Sequence, residues 1–393
     1  MKLFVITSRI PFPLEKGDKL RLYHQLQTLG QRHQVVLCCL SDKPLSNDQR
    51  DALTPLVDAL HVIQLSLVAR LWRMAWAWLS AQPFQVTWFT DPRGIRQVHA
   101  IIEGCQPDVV YCQLVRCAEY VRTLHHLPKV LDYMDAFSAG MHRRSHQQRG
   151  VWRTPLRWMT WLEGNRLAAY ESRMMDYFDA TTIISGNDRL LIPHRERDNI
   201  HVVPNGVDLR AFTPRTRTLS SDHVILFTGN MSYPPNVDAA IHLAQDILPL
   251  VNTPVVRLVL AGAEPKPRVQ ALASPRVTVT GWVDDIAEEY RAAHVFVAPL
   301  RMGTGLQNKV LEAMASNVPC VLSPHAFTPL GIPAHNHAVI CSDAQSFASA
   351  IDDILANPDK ANAMASQART AIQNQFSWEA HNHGLDDILT SVR

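Results

Sequence analysis

Short apolar runs alternate with stretches of helical spacing along almost the whole chain. Phe4 to Thr7, Val35 to Leu40, Val109 to Tyr111 and Ile183 to Ser185 are continuous rather than alternating in polarity, as expected of strands buried on both faces of a parallel sheet. The same rhythm begins again at Val224. Its clearest instance lies between Val295 and Pro324. His294 to Leu300 and Pro319 to Ser323 are apolar runs, and Leu306, Val310, Ala313 and Met314 recur between them at helical spacing. The pattern predicts strand, helix, strand. Repeated in both halves, it predicts two doubly wound α/β domains.

Polar residues in that stretch sit where a ligand would. Gly303 and Gly305 bracket Thr304 just before the helix, so the backbone can turn tightly and aim N–H groups at an anion. Asn308, Lys309 and Glu312, three and four residues apart, form one polar helix face. A lysine in the first turns of a helix opposes the macrodipole, and Lys followed by Glu is the weaker order for a helix ion pair. A bound phosphate would give Lys309 a purpose.

Length and composition agree with two domains. A chain of 393 residues exceeds what one core organises and suggests domains of about 150 to 200 residues. The boundary is expected between Pro193 and Pro204, where HRERDN precedes the Asn-Gly turn of VVPNGVD. Seven cysteines, two of them the adjacent Cys38 and Cys39, form no CxxC pair and argue against a disulfide scaffold. A cytoplasmic protein is therefore expected, without signal peptide and without a run of the ~18 apolar residues that a span requires.

Two segments suggest contact with a membrane surface instead. LVARLWRMAWAWLSAQPF carries Trp72, Trp76 and Trp78 with Arg70 and Arg73. MHRRSHQQRGVWRTPLRWMTWLEGNRL carries Arg143, Arg144, Arg149, Arg153, Arg157 and Arg166 against Glu163, with Trp152, Trp158 and Trp161. The formal charge of the whole chain is only +2 and no recognition motif accompanies the arginines, which disfavours a nucleic-acid partner. The eighteen histidines are scattered and suggest no metal centre.

The stretch ending GTGLQNKVLEAMASNVPCVLSP resembles the donor-binding signature of family 4 glycosyltransferases. KLFVITSRIPFPLEKGDKLR, KVLDYMDAFS, VVPNGVD, ILFTGNMSYPPNVDA, LVLAGAEP, VTVTGWVDD and FSWEAHNHGLDDIL fit the same family in order, so the resemblance covers nearly the whole chain. PFPLEKGDKLR and the form of the donor loop look most like the sugar transferases associated with bacterial exosortase and PEP-CTERM systems. The resemblance implies a retaining enzyme of GT-B architecture, two Rossmann-like domains facing across a cleft. It places an acceptor domain at residues 1–198, a donor domain at 199–376 and a returning terminal helix at 377–393.

The reaction implied is metal-independent transfer of a sugar from a nucleotide-diphosphate sugar to a hydroxyl of a sugar or lipid-linked acceptor, in exopolysaccharide or lipid-linked glycan synthesis. No cofactor is expected. The enzyme would be cytoplasmic, with the inner face of the cytoplasmic membrane as a further expected location. Glu312 matches the second glutamate of the family's Glu-x7-Glu motif, which binds ribose hydroxyls. Gly17, Gly229, Asn230, Trp282, Val283, Gly303, Thr304, Gly305, Leu306 and Asn308 match other donor-loop positions, with Gly17 beside the diphosphate and Trp282 and Val283 at the base. Asp135 matches the aspartate of the family's His-Asp pair, Met134 occupying the histidine position and Asp132 offering a second carboxylate. Lys16 and Arg21 are further candidates beside the diphosphate.

Two departures matter. The first motif glutamate falls on Thr304, and the usual diphosphate-binding Arg and Lys fall on Asn230 and about Pro235. Arg301 and Lys309 are the cations available to replace them. The alternatives are a silent nucleotide-binding or assembly subunit and a nucleotide-sugar epimerase, the latter lacking the expected carboxylate and histidine cluster.

Overall fold

The computed structural model describes residues 1–147, 154–214, 223–302 and 306–393. Gly303, Thr304 and Gly305 lie outside the described residues, as do Arg149, Trp152 and Arg153. The chain divides into two compact units, Met1–Pro204 with His381–Arg393, and Asn205–Ala380.

The first unit holds a seven-stranded sheet: β1 (Lys2–Thr7), β2 (Gln34–Ser41), β3 (Ala59–Gln64), β4 (Val109–Gln113), β5 (Lys129–Asp132), β6 (Ala180–Ile183) and β7 (His201–Val202). They lie side by side in the order β3-β2-β1-β4-β5-β6-β7, every neighbouring pair parallel. Phe4 sits opposite Val36 and Val110. The pleat sends Phe4, Ile6, Val36, Cys38 and Val110 into one core and Leu3, Val5, Val35, Leu37 and Val109 into another. Two buried faces explain why these strands read as unbroken apolar runs. Adjacent Cys38 and Cys39 accordingly point into different layers, and all seven cysteines are free. The strand expected at Ile183 to Ser185 instead spans Ala180–Ile183, because Ser185 caps the next helix by accepting from the Asp188 backbone N–H.

The terminal helix Trp378–Ser391 contributes Leu385 and Leu389 to the second of these cores. Asn382 donates to the His24 carbonyl at 2.9 Å, and Arg32 pairs with Asp386 at 2.6 Å.

The second unit repeats the plan with β8 (His223–Thr228), β9 (Val256–Ala261), β10 (Val277–Gly281), β11 (Val295–Ala298), β12 (Cys320–Leu322) and β13 (Val339–Ile340), in the parallel order β10-β9-β8-β11-β12-β13. The expected strand, helix, strand of its centre is β11, the helix Asn308–Ala315 and β12. Each sheet reverses its strand order beside its first strand, between β1 and β4 and between β8 and β11. Open parallel sheets bind ligands at the carboxyl ends of the strands flanking such a reversal.

Candidate functional site

In the second unit, the turn after β8 meets the helix Asn308–Ala315, which carries Asn308, Lys309 and Glu312. Gly229 ends β8 with φ +147°, and a Cβ there would lie 2.6 Å from the Asn236 amide nitrogen and 3.1 Å from Lys309 Nζ. Only glycine leaves that space. Gly262, after β9, has φ +140°, and its Cβ would lie 2.0 Å from the Gly229 carbonyl oxygen. The carboxyl edge of this sheet is thus a run of closely apposed bare backbone.

Beneath it, the half-buried Lys309 ammonium donates to the Asn236 side-chain oxygen and lies 4.9 Å from the centre of the Phe227 ring. Burial drives its pKa down to about 7, against the opposing pull of Glu312. Burial also raises the Glu312 carboxyl, although the Tyr290 hydroxyl and Lys309 hold it back. For each partner, lost hydration outweighs their attraction. The site is therefore short of counter-charge.

Glu312 is held from behind. The fully buried Tyr290 hydroxyl lies 2.8 Å from Glu312 Oε2 and 2.6 Å from the Thr228 hydroxyl. Asn308 accepts from Asn205 at 3.2 Å, which ties the PNG turn to the same helix. Gly206 of that turn is pressed on Trp378, whose backbone nitrogen a Cβ would approach to 2.3 Å. Leu306 is buried.

The other donor-side candidates follow the ends of β8, β10 and β11. Arg301 is exposed and forms a two-pronged pair with Asp238, at 2.9 and 2.7 Å, so its charge is already answered. Asn230 accepts from the Ser232 backbone N–H at 2.8 Å and donates to Glu264 at 3.3 Å, fastening the turn after β8. Trp282 lies exposed after β10 with its indole N–H 3.3 Å from Asp284, and Val283 beside it is half-buried.

In the first unit, Gly17 opens the helix Gly17–Arg32, and a Cβ would stand 3.3 Å from the Met134 methyl group. Met134 has φ +63°, and turns the chain so that Asp135 follows at the carboxyl end of β5. Burial, reinforced by nearby Asp188 and opposed by Arg21, lifts the Asp135 carboxyl to about 7. Ser185 hydrogen-bonds Asp188, so its role here is that of a cap.

Asp132 and Arg21 are corrections. Both are wholly buried and paired with each other at 2.7 Å, with the Tyr111 and Thr182 hydroxyls each 3.0 Å from the carboxylate. They form an internal strut and present nothing to a ligand.

Sequence reasoning missed Asn236, Tyr290 and Gly262. Asn236 stood inside the quoted PPNVDA, but its use depends on a lysine 73 residues away.

Residues 222–357 match the family of glycosyl transferases group 1. EpsF of Bacillus subtilis (strain 168), assigned as a glycosyltransferase, is 29% identical over 207 residues, which cover 46% of this chain and 50% of EpsF. The lipopolysaccharide core biosynthesis mannosyltransferase LpcC of Rhizobium leguminosarum bv. viciae is 27% identical over 240 residues, 56% of this chain and 66% of LpcC. The chain thus matches half to two thirds of these relatives' lengths. HepE of Anabaena, solved in complex with UDP-glucose, matches over 100% of both chains with a TM-score of 0.70 at 15% identity. That likeness is one of fold. The expected fold class, two doubly wound α/β units of GT-B type, stands.

Proposed function

We propose that the protein is a glycosyltransferase that moves a sugar from a nucleotide-diphosphate sugar to an acceptor hydroxyl. The observation that carries this reading is the half-buried Lys309 beneath Gly229, beside a Glu312 fixed by Tyr290, at the strand reversal of the second sheet. A lysine so short of counter-charge suits an anion, and a carboxylate held rigid at the same edge suits a pair of ribose hydroxyls. The family match of residues 222–357 supports the reaction class, and the UDP-glucose bound to HepE supports the donor class.

In this reading the acceptor oxygen bonds to the anomeric carbon as the bond from that carbon to the diphosphate oxygen breaks, on the same face and with retention. The departing diphosphate takes the acceptor's proton. Lys309 answers the charge that develops on the leaving group, joined by Arg301 once it exchanges Asp238 for phosphate, a cheap exchange because exposed ion pairs are worth little. Neither step calls on a metal. Glu312 and Asn308 orient the nucleoside, and Asp135, titrating near neutrality, contacts the acceptor. The role named for LpcC, lipopolysaccharide core biosynthesis, supports an acceptor that is a lipid-linked or surface glycan. The finer placement in family 4, among sugar transferases of export systems, rests on PFPLEKGDKLR and the form of the donor loop.

The test is turnover with a panel of nucleotide sugars in the double variant Arg301→Gln, Lys309→Met. A loss of about 2 kcal/mol or more in transition-state stabilisation is expected. Wild-type turnover in the double variant would contradict the assignment. A wild-type chain that binds nucleotide without turnover on any acceptor would point to the silent-subunit reading, which Thr304 and Asn230 at the two family positions favour.

A further inference from the structure

The helix Leu67–Ala77 is built inside out. Its buried residues are Arg70 and Ala77, with the Arg70 guanidinium 5.2 Å from the Trp88 ring and 5.7 Å from the Phe89 ring. Val68, Trp72, Trp76 and Leu79, spaced four, four and three residues apart, form a stripe on the outside. Trp72 is 68% exposed, Trp76 66% and Leu79 82%. Soluble surfaces rarely collect large apolar side chains in this way.

A second segment completes the patch. Helix Thr154–Met174 exposes Leu156, Trp158, Met159 and Trp161 from its first turns, and Trp158 stacks on Trp78 with ring centres 6.3 Å apart and planes 13° apart. The two segments are locked together. Glu163 accepts from the Phe84 and Gln85 backbone N–H groups at 2.7 and 2.9 Å, and Arg166 donates to the Ala77 carbonyl at 3.0 Å while lying 4.8 Å from the Phe84 ring. The tryptophans are therefore displayed by a fixed platform.

From this geometry we infer that the platform seats the protein on an anionic lipid bilayer, with the indoles and Leu79 in the interfacial layer. The charge pattern selects this occupant. Arg157 is exposed on the helix Thr154–Met174 and Arg144 on the helix Phe137–Gln147 that packs on it, and the sequence has no Asp or Glu from 65 to 90 or from 136 to 162. Anionic headgroups complement that field, whereas a two-fold pairing of the patch with its own copy would oppose like charges. The inference goes beyond the transferase reading and does not depend on it.

Flotation of the full chain with vesicles of phosphatidylcholine, with and without phosphatidylglycerol, tests it, with tryptophan emission as a second readout. Binding to the anionic vesicles with a blue shift is expected, weakening with salt. Trp72→Ser with Trp76→Ser lowers the apparent affinity about ten-fold or more, and Arg157→Glu lowers it for anionic vesicles, while melting curves and nucleotide-induced shifts stay those of the wild type. Failure to float at low salt would overturn the inference. So would a wild-type dimer that the tryptophan variants dissolve without changing flotation.

Discussion

Lys309 carries the sharpest consequences at the scale of single residues. Its folded pKa, about 7, lies below the 10.5 of the unfolded chain. Between those values the unfolded chain binds the extra proton, so this group makes stability rise with pH across the window and leaves it constant below. Lys309→Met should flatten that rise in denaturant titrations taken at several pH values, and should stabilise the protein at neutral pH while removing its hold on the diphosphate. Placed beside a diphosphate, the wild-type amine regains its proton. Nucleotide affinity should consequently fall with pH above about 7, by up to about ten-fold per unit, with proton uptake visible as a buffer-dependent binding heat in calorimetry. A pH-independent affinity between 7 and 9 would remove Lys309 from the diphosphate.

The elements of the fold were legible wherever burial acts on neighbouring positions. Val35 to Leu40 and Val109 to Tyr111 read as strands because both faces of a parallel sheet are covered, and Val310, Ala313 and Met314 read as a helix because one face is. Ser185 ends an apolar run, yet serine is a preferred helix cap, and the structure uses it as one. What joins elements was not legible at all. Arg21 and Asp132 are 111 residues apart, and only the folded chain shows that they brace the first helix against β4, β5 and β6 through Tyr111 and Thr182. Asp132→Asn would leave the Arg21 guanidinium buried without its carboxylate, and should cost about 3–5 kcal/mol of stability in urea unfolding. A cost below about 1 kcal/mol would mean that the strut is dispensable. In the candidate site the same division holds. Glu312 and Lys309 were readable from local spacing, whereas Tyr290 looked like any helix residue until Thr228 and Glu312 were seen to meet its hydroxyl.

At the scale of the whole molecule, two sheets of matching strand order give two carboxyl edges that can bind ligands, and the chain uses them unequally. The second unit concentrates a lysine short of counter-charge, a braced glutamate and bare glycine backbone at its edge. The first unit offers Asp135 after Met134, against which Gly17 packs, and also carries the tryptophan platform. No described helix is long and apolar enough to cross a membrane. The central claim concerns the second edge, and it is tested most directly by the melting temperature of the purified chain across UDP, GDP, ADP, dTDP and their common sugars, alongside Glu312→Ala. A ligand held by the folded state alone raises the melting point by mass action. The account predicts a rise with one base that the substitution abolishes. No rise with any nucleotide, or a rise that Glu312→Ala leaves intact, would contradict it.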